Sequence, residues 1–278
     1  MVVGFDRETE RVPASDERSQ GDIIRIEHVP ESDEPELGVI INADCDLAHD
    51  RLDGVVTYLP LYTFRRYLAL FWAPGHVAEV LKAATQKVLE LAGDGAAEAE
   101  GLHSWIRTDG PAAVSASMTS GLKKGPAALM EREVGRIAIS LDDDATHYQR
   151  FARLCGDEPD PAGHARKQIL AAKKAMGDGH FFISDLVDHD ELGFVVRMRR
   201  VLSIAEERCF RSVAEQRATS AGLETTAVRV GRLTPLYRIK VLQVFAQQFT
   251  RIGLSDEVTA LSGMAIDDLV ATAVGDRA

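Results

Sequence analysis

The chain lacks lysine over its first 81 residues, has only three cysteines, and contains no long apolar run. Each absence excludes something. The longest apolar stretch, YLALFWA at 67–73, falls far short of the roughly 20 residues that cross a bilayer, so no membrane association is expected. The beginning, MVVGFDRETER, has no basic region followed by an apolar one and does not read as a signal peptide. Cys45, Cys155 and Cys209 are odd in number and widely spaced, which argues against a disulfide framework and fits a reducing cytoplasm. Without a Cys-x-x-Cys pair, a cysteine-rich zinc site is not expected either. Walker, Rossmann and Gly-x-Ser-x-Gly fingerprints are missing, so nucleotide hydrolysis is not expected. No cofactor and no resident metal are expected.

What is present is an uneven distribution of charge. The 278 residues carry 32 basic and 43 acidic groups, a formal net charge of −11. Residues 1–62 alone hold five Arg, no Lys and 15 Asp or Glu, a net of −10. Such a front end repels phosphate and argues against a nonspecific nucleic-acid clamp along the whole chain. Residues 195–240 are the opposite, with ten basic groups against four Glu. Two readings of that stretch stay open. Arg197, Arg199, Arg200, Arg232 and Arg238 are candidates for docking nucleic acid or an acidic partner. Alternatively these arginines offset the acidic front by internal pairing. Strand alternation puts Arg197 and Arg199 on one face and Arg200 on the other.

At 30.3 kDa the chain is long enough for a self-supporting core, burying about 70–75% of its extended surface. Residues 1–20 are polar, contain Pro13 and read as a flexible arm. Residues 21–62 read as strands. Asp22–Val29 and the apolar run Gly38–Asn42 flank an acidic loop, and Val55–Leu59 follows the turn Asp53-Gly54. Residues 63–178 read as a mainly helical insertion. Within it, 110–126 is expected to be a loop, because Gly110-Pro111 and Gly125-Pro126 punctuate it. Arg136–Leu141 reads as a strand or a helix start. Strands return at 179–231, where Phe181–Val187 and Gly193–Val201 form a hairpin about the turn 188–191, while 205–219 reads as helix. Residues 232–278 read as helices. In the first of these Thr234 caps, Pro235 takes the first position, and Leu236, Ile239, Leu242, Phe245, Phe249 and Ile252 share one face. Gly253 ends it, and Ser255-Asp256-Glu257-Val258 starts a terminal helix.

Three segments carry a family resemblance. Gly21-Asp22-Ile23-Ile24, then Gly38-Val39-Ile40-Ile41-Asn42, then Tyr58-Leu59-Pro60-Leu61-Tyr62-Thr63 resemble the PemK/MazF-like barrel over about 43 residues. The resemblance implies a small SH3-like barrel. Because strand signals return after a helical block, and the first block is too small to bury a core alone, the expected fold is α+β, with the barrel built from N- and C-terminal segments, a large helical insertion and C-terminal helices. It also implies endoribonuclease ancestry, with Thr63 at the family's Thr position. The family's catalytic Arg precedes the second strand, whereas Pro35-Glu36-Leu37-Gly38 has none, and its absence removes a major electrostatic contribution to RNA cleavage. A second resemblance joins the two ends of the chain. Asn42-Ala43-Asp44-Cys45-Asp46-Leu47 looks like the Gln-Thr/Asp-Cys-Asp-Leu/Ile signature of uncharacterised bacterial proteins. Those proteins also share a segment like Pro235-Leu236-Tyr237-Arg238 … Phe245-Ala246 … Phe249 … Arg251-Ile252-Gly253-Leu254. It implies a cytoplasmic member of a multi-gene conflict or signalling system.

Residues 44–50 are the densest reactive set. Cys45 is a candidate nucleophile with His49 nearby. Asp44, Asp46, His49 and Asp50 suit a cation. The plainer reading is a strand end, with Cys45 packed inside and Asp46 shaping the turn. Asp142-Asp143-Asp144 with His147 reads as a cation site or as a helix cap and first turn. His180 with the 188–191 group reads as a solvated turn or a metal or catalytic cluster. The expected function is a non-catalytic adaptor or sensor whose partner is another protein of the same operon, an ATPase or a kinase. The alternatives are a divergent endoribonuclease or thiol enzyme using Cys45, Asp46, His49 or Thr63, and an RNA-binding module.

Overall fold

The computed structural model describes residues 7–27, 35–49, 51–93, 98–220, 222–250 and 263–270. Within these the chain is a mixed helix-and-sheet protein built on one nearly closed, barrel-like sheet. Strands β1 (Thr9–Glu10), β2 (Asp22–Glu27), β3 (Leu37–Ile40) and β4 (Val55–Thr63) come from the front of the chain. The later strands are β5 (His180–Asp185), β6 (Leu192–Arg197), β7 (Leu202–Ala205), β8 (Cys209–Phe210) and β9 (Thr226–Leu233). The order is β1-β9-β2-β3-β4-β6-β5, with β7 on β4 and β8 on β9. Every pairing is antiparallel except β8 with β9. Side chains join the two ends of this order. Glu8 accepts from the Ser184 N–H, and Thr9 Oγ1 accepts from the Val187 N–H at 2.8 Å.

Period-two alternation explains why the strands are buried on both faces. Ile23, Val39, Leu59, Leu61, Phe194 and Val196 point into one cluster. Their neighbours Ile24, Ile40 and Tyr58 point into another, with Val56, Ile204 and Ala227. Gly38 is required at this crossing, because a Cβ there would stand 2.4 Å from the Tyr58 ring. Between β4 and β5 lie α2 (Phe64–Tyr67), a π-helical turn (Leu68–Trp72) and α3 (Ala73–Ala92). They are followed by α4 (Ala99–Asp109), α5 (Pro111–Met118), α6 (Lys124–Ser140), α7 (His147–Gly156) and α8 (Pro161–Ala175). These helices bury their own cores, one around Val88, Ile106, Met130 and Ile137 and one around Val77, Phe151 and Leu154. Short α1 (Asp44–Ala48) and α9 (Val213–Thr219) sit in the strand connections, and α10 (Pro235–Thr250) follows β9. No helix among the described residues is long and apolar enough to cross a membrane.

Several expectations need correction. From residue 7 onward the arm is tied down. β1 pairs with β9, and the carbonyls of Pro13, Asp16 and Glu17 accept hydrogen bonds from Arg229. The expected loop at 110–126 is largely helical. Gly110 ends α4 at φ +81°, Pro111 opens α5, and Pro126 lies in the first turn of α6, positions where proline's missing N–H costs nothing. Arg136–Ser140 belongs to α6. In 205–219 only Val213–Thr219 and a 3₁₀ turn are helical, and Cys209–Phe210 is strand. The largest correction concerns α10. It packs through Tyr237, Val241, Val244 and Phe245, while Leu236 and Ile239 are 57% and 59% exposed. Glu31–Glu34, Asp50, Ile252, Gly253 and Ser255–Val258 lie outside the described residues.

Candidate functional site

The Asp-Cys-Asp segment is a short helix rather than a strand end. Asn42 turns the chain off β3 by accepting the Thr57 N–H at 2.6 Å through its side chain. The segment then winds into α1, and Cys45 is exposed instead of packed inside. The Cys45 thiol lies 3.7 Å from Asp46 Oδ1. His49 does not address the sulfur. Its Nδ1 donates to the Cys45 carbonyl at 2.7 Å, closing the helix end. Asp44 has the richest contacts. Its carboxylate accepts from Ser19 Oγ and the Gln20 N–H, each at 2.7 Å, and from Arg238 at 3.3 Å. Partial burial pushes this carboxyl up, but those hydrogen bonds and the charges of Arg238 and Arg232 hold it below its ordinary value. Asp44 therefore fastens the arm and α10 to α1.

Thr63 lies elsewhere. It ends β4, whereas α1 adjoins the Thr57 end, about 20 Å away along the strand. Its Oγ1 caps α2 by accepting the Arg66 N–H at 3.2 Å. Arg66 in turn pairs with Glu36 at 2.7 Å. Thr63, Arg65, Arg66, Glu36, Tyr148 and Glu191 line a cavity of about 350 Å³. The structure thus separates Thr63 from Cys45, Asp46 and His49. The stretch where the family places its catalytic Arg supplies a carboxylate, Glu36.

The five candidate arginines divide into two sets. Arg232 pairs with the fully buried Asp22 at 2.5 Å and also donates to the Glu17 carbonyl. Arg238 pairs with Asp44, and Arg211 pairs with Glu17. Arg229, buried, reaches the same Asp22 at 3.3 Å. The acidic front and the basic stretch therefore neutralise each other across β2, β9 and α10. The second set is near the open end of the β5–β6 hairpin. Arg197 lies over the Phe71 ring at 4.2 Å, and Arg199 donates to Gln248. Arg200 donates to Tyr62 Oη at 3.5 Å, and Tyr62 packs edge-on against Phe71, so Arg200 lies on the Arg197 side rather than on the opposite face that strand alternation predicts, because β6 ends at Arg197.

The acidic clusters are absorbed by local structure. Thr146, not the Asp run, caps α7, with Gln149 completing a capping box. Asp142 pairs with Arg153, and Asp143 faces Arg107 and Arg150. Asp188 pairs with Arg11, and His189 stands edge-on to Phe194 at 5.0 Å. His180 is 3.4 Å from Tyr67 Oη; burial first, then the charges of Arg197 and Arg199, hold it below its ordinary value. No group of three or more His, Cys, Asp or Glu arranged to hold a metal occurs among the described residues. Sequence reasoning missed Phe71, Phe182 and Lys173 beside the second arginine set. Lys173 lies 4.0 Å over the Phe182 ring. The only signal for Phe71 was its place in the 67–73 apolar run, whose outward residue the helical period does not identify.

Comparisons with known proteins do not place the chain in a family: no protein-family profile, no curated protein and no solved structure matches it.

Proposed function

We propose that this protein is a non-catalytic adaptor or sensor of a bacterial multi-gene conflict or signalling system. Its partner is another protein of the same operon. The observation that carries the reading is the apolar face that α10 turns away from the barrel, with Leu236 and Ile239 more than half exposed. The terminal helical stretch 263–270 adds Met264, Ile266, Leu269 and Val270, all exposed. Large apolar side chains left facing water favour a partner that covers them. The candidate catalytic groups support the same reading. His49 engages a backbone oxygen, Asp44 is a structural tie, and Thr63 is a cap with Arg66 held by Glu36. The kinship proposed is with PemK/MazF-like SH3-like barrels, with catalysis lost along with the Arg.

The test is co-expression with the ATPase or kinase encoded beside it, followed by light scattering of the purified mixture. A defined complex is expected, and Leu236→Asp with Ile239→Asp dissolves it without unfolding the chain. The reading fails if no neighbour-encoded protein binds, or if the double variant binds as well as the native chain.

A further inference from the structure

We propose that the basic and aromatic surface formed by Lys173, Lys174, Arg197 and Arg199 with Phe71 and Phe182 binds single-stranded nucleic acid. This goes beyond the adaptor reading and stands on different residues from the α10 face. Three elements converge there. The register pairs His180 with Arg197 at the open end of the β5–β6 hairpin. The last turn of α8 brings Lys173 and Lys174 alongside. The π-helical turn contributes Phe71, 39% exposed.

Charge is sorted along this hairpin. Residues 161–177 contain four Lys or Arg and no carboxylate, and residues 192–205 contain three Arg and no carboxylate. Asp185, Asp188, Asp190 and Glu191 gather at the turn, the opposite end of the two strands. The ion pairs among the described residues do not involve Lys173, Lys174, Arg197 or Arg199; they go instead to residues such as Arg229, Arg232 and Arg238. Among the described residues, the cationic surface is therefore not neutralised in the way the front of the chain is. Asp178 is the acidic residue nearest in sequence, between α8 and β5.

The aromatic rings decide the class of ligand. A patch selected for carboxylates alone needs only charge. Here each of two cations lies on a ring, Arg197 on Phe71 and Lys173 on Phe182. Tyr67 backs the arrangement, 5.3 Å from Phe71 and edge-on to His180 at 5.4 Å. A guanidinium held over a ring can also stack on an unpaired base, while the lysines and Arg199 meet the phosphates. A duplex, whose bases are already stacked, gains nothing from the rings. The acidic front lies some 15 Å along α10, from Arg238 beside Asp44 to Gln248 beside Arg199, beyond the screening length of physiological salt.

The experiment is fluorescence anisotropy of the full chain with labelled ten-nucleotide oligouridylate and oligothymidylate, across a series of salt concentrations. Binding of either oligonucleotide is expected, weakening as salt rises. Arg197→Ala is expected to weaken it about tenfold, and Arg197→Lys, which keeps the charge but loses the planar guanidinium, to weaken it by less. Lys173→Ala is expected to weaken it too, and all three variants are checked for native unfolding midpoints. Leu236→Asp with Ile239→Asp is expected to leave oligonucleotide binding unchanged, so loss of the protein partner and loss of this ligand are separable. No binding at low salt overturns the proposal. So does binding indifferent to Arg197→Ala and Lys173→Ala, equal affinity for a duplex of the same length, or equally effective displacement by polyglutamate.

Discussion

Two arginine sets lie on the same half of the chain and have opposite surroundings. Arg229 and Arg232 are sunk between the arm and β2, sharing Asp22 and three backbone carbonyls. Arg197 and Arg199 pair with no carboxylate among the described residues; one rests on an aromatic ring and the other on an amide. In composition the four are interchangeable. In the fold, the first pair is part of the closure of the sheet and the second is surface chemistry. A basic stretch in a sequence therefore counts as a docking patch only after the carboxylates of its own chain have been assigned.

The sharpest way to break this comparison is at Asp22. Asp22→Ala leaves two guanidinium groups, one buried, with carbonyls but without the carboxylate they share, and is expected to cost about 3–5 kcal/mol in urea unfolding. The arm should loosen at the same time, read as faster proteolysis within residues 7–20.

A smaller effect sharpens the other side. Burial first, and then the Arg197 and Arg199 charges, hold His180 below its ordinary value. His76 and His103 are held low as well, each chiefly by burial. A histidine whose folded value lies below its unfolded one binds its proton more readily when unfolded. Stability is thus full above the ordinary histidine value of about 6.5 and declines as pH falls below it, until the folded value is passed. Arg197→Ala removes one positive neighbour, so the His180 midpoint followed by NMR should move up while His103 stays in place. An unmoved His180 would mean that Arg197 is neutralised in solution.

Much of the sheet was legible because period-two burial and turn chemistry are local. β2, β3, β4 and the β5–β6 hairpin fall where alternation and Asp53-Gly54 place them. The helix at Pro235 was legible from its cap, but its inward face was not. α10 carries two apolar stripes at helical spacing, and the period identifies a helix without saying which stripe meets the barrel. The 110–126 segment was misread because proline marks a helix start as readily as a loop. The arm was misread for another reason. Its anchors are backbone carbonyls held by Arg229, and composition does not reveal which carbonyls a distant guanidinium will find. At the candidate site the density of Asp, Cys and His drew attention, but reactivity depends on what each atom faces. His49 faces a carbonyl and Asp44 faces Ser19 and Gln20.

The most direct test of the division is to unfold Arg229→Met and Arg197→Met side by side in urea. Arg229→Met, which strips Asp22 of one partner and frees three carbonyls of the arm, should lose about 3–5 kcal/mol. Arg197→Met, which gives up one ring contact, should lose no more than about 1 kcal/mol. Equal losses, or a larger loss at Arg197, would contradict the account.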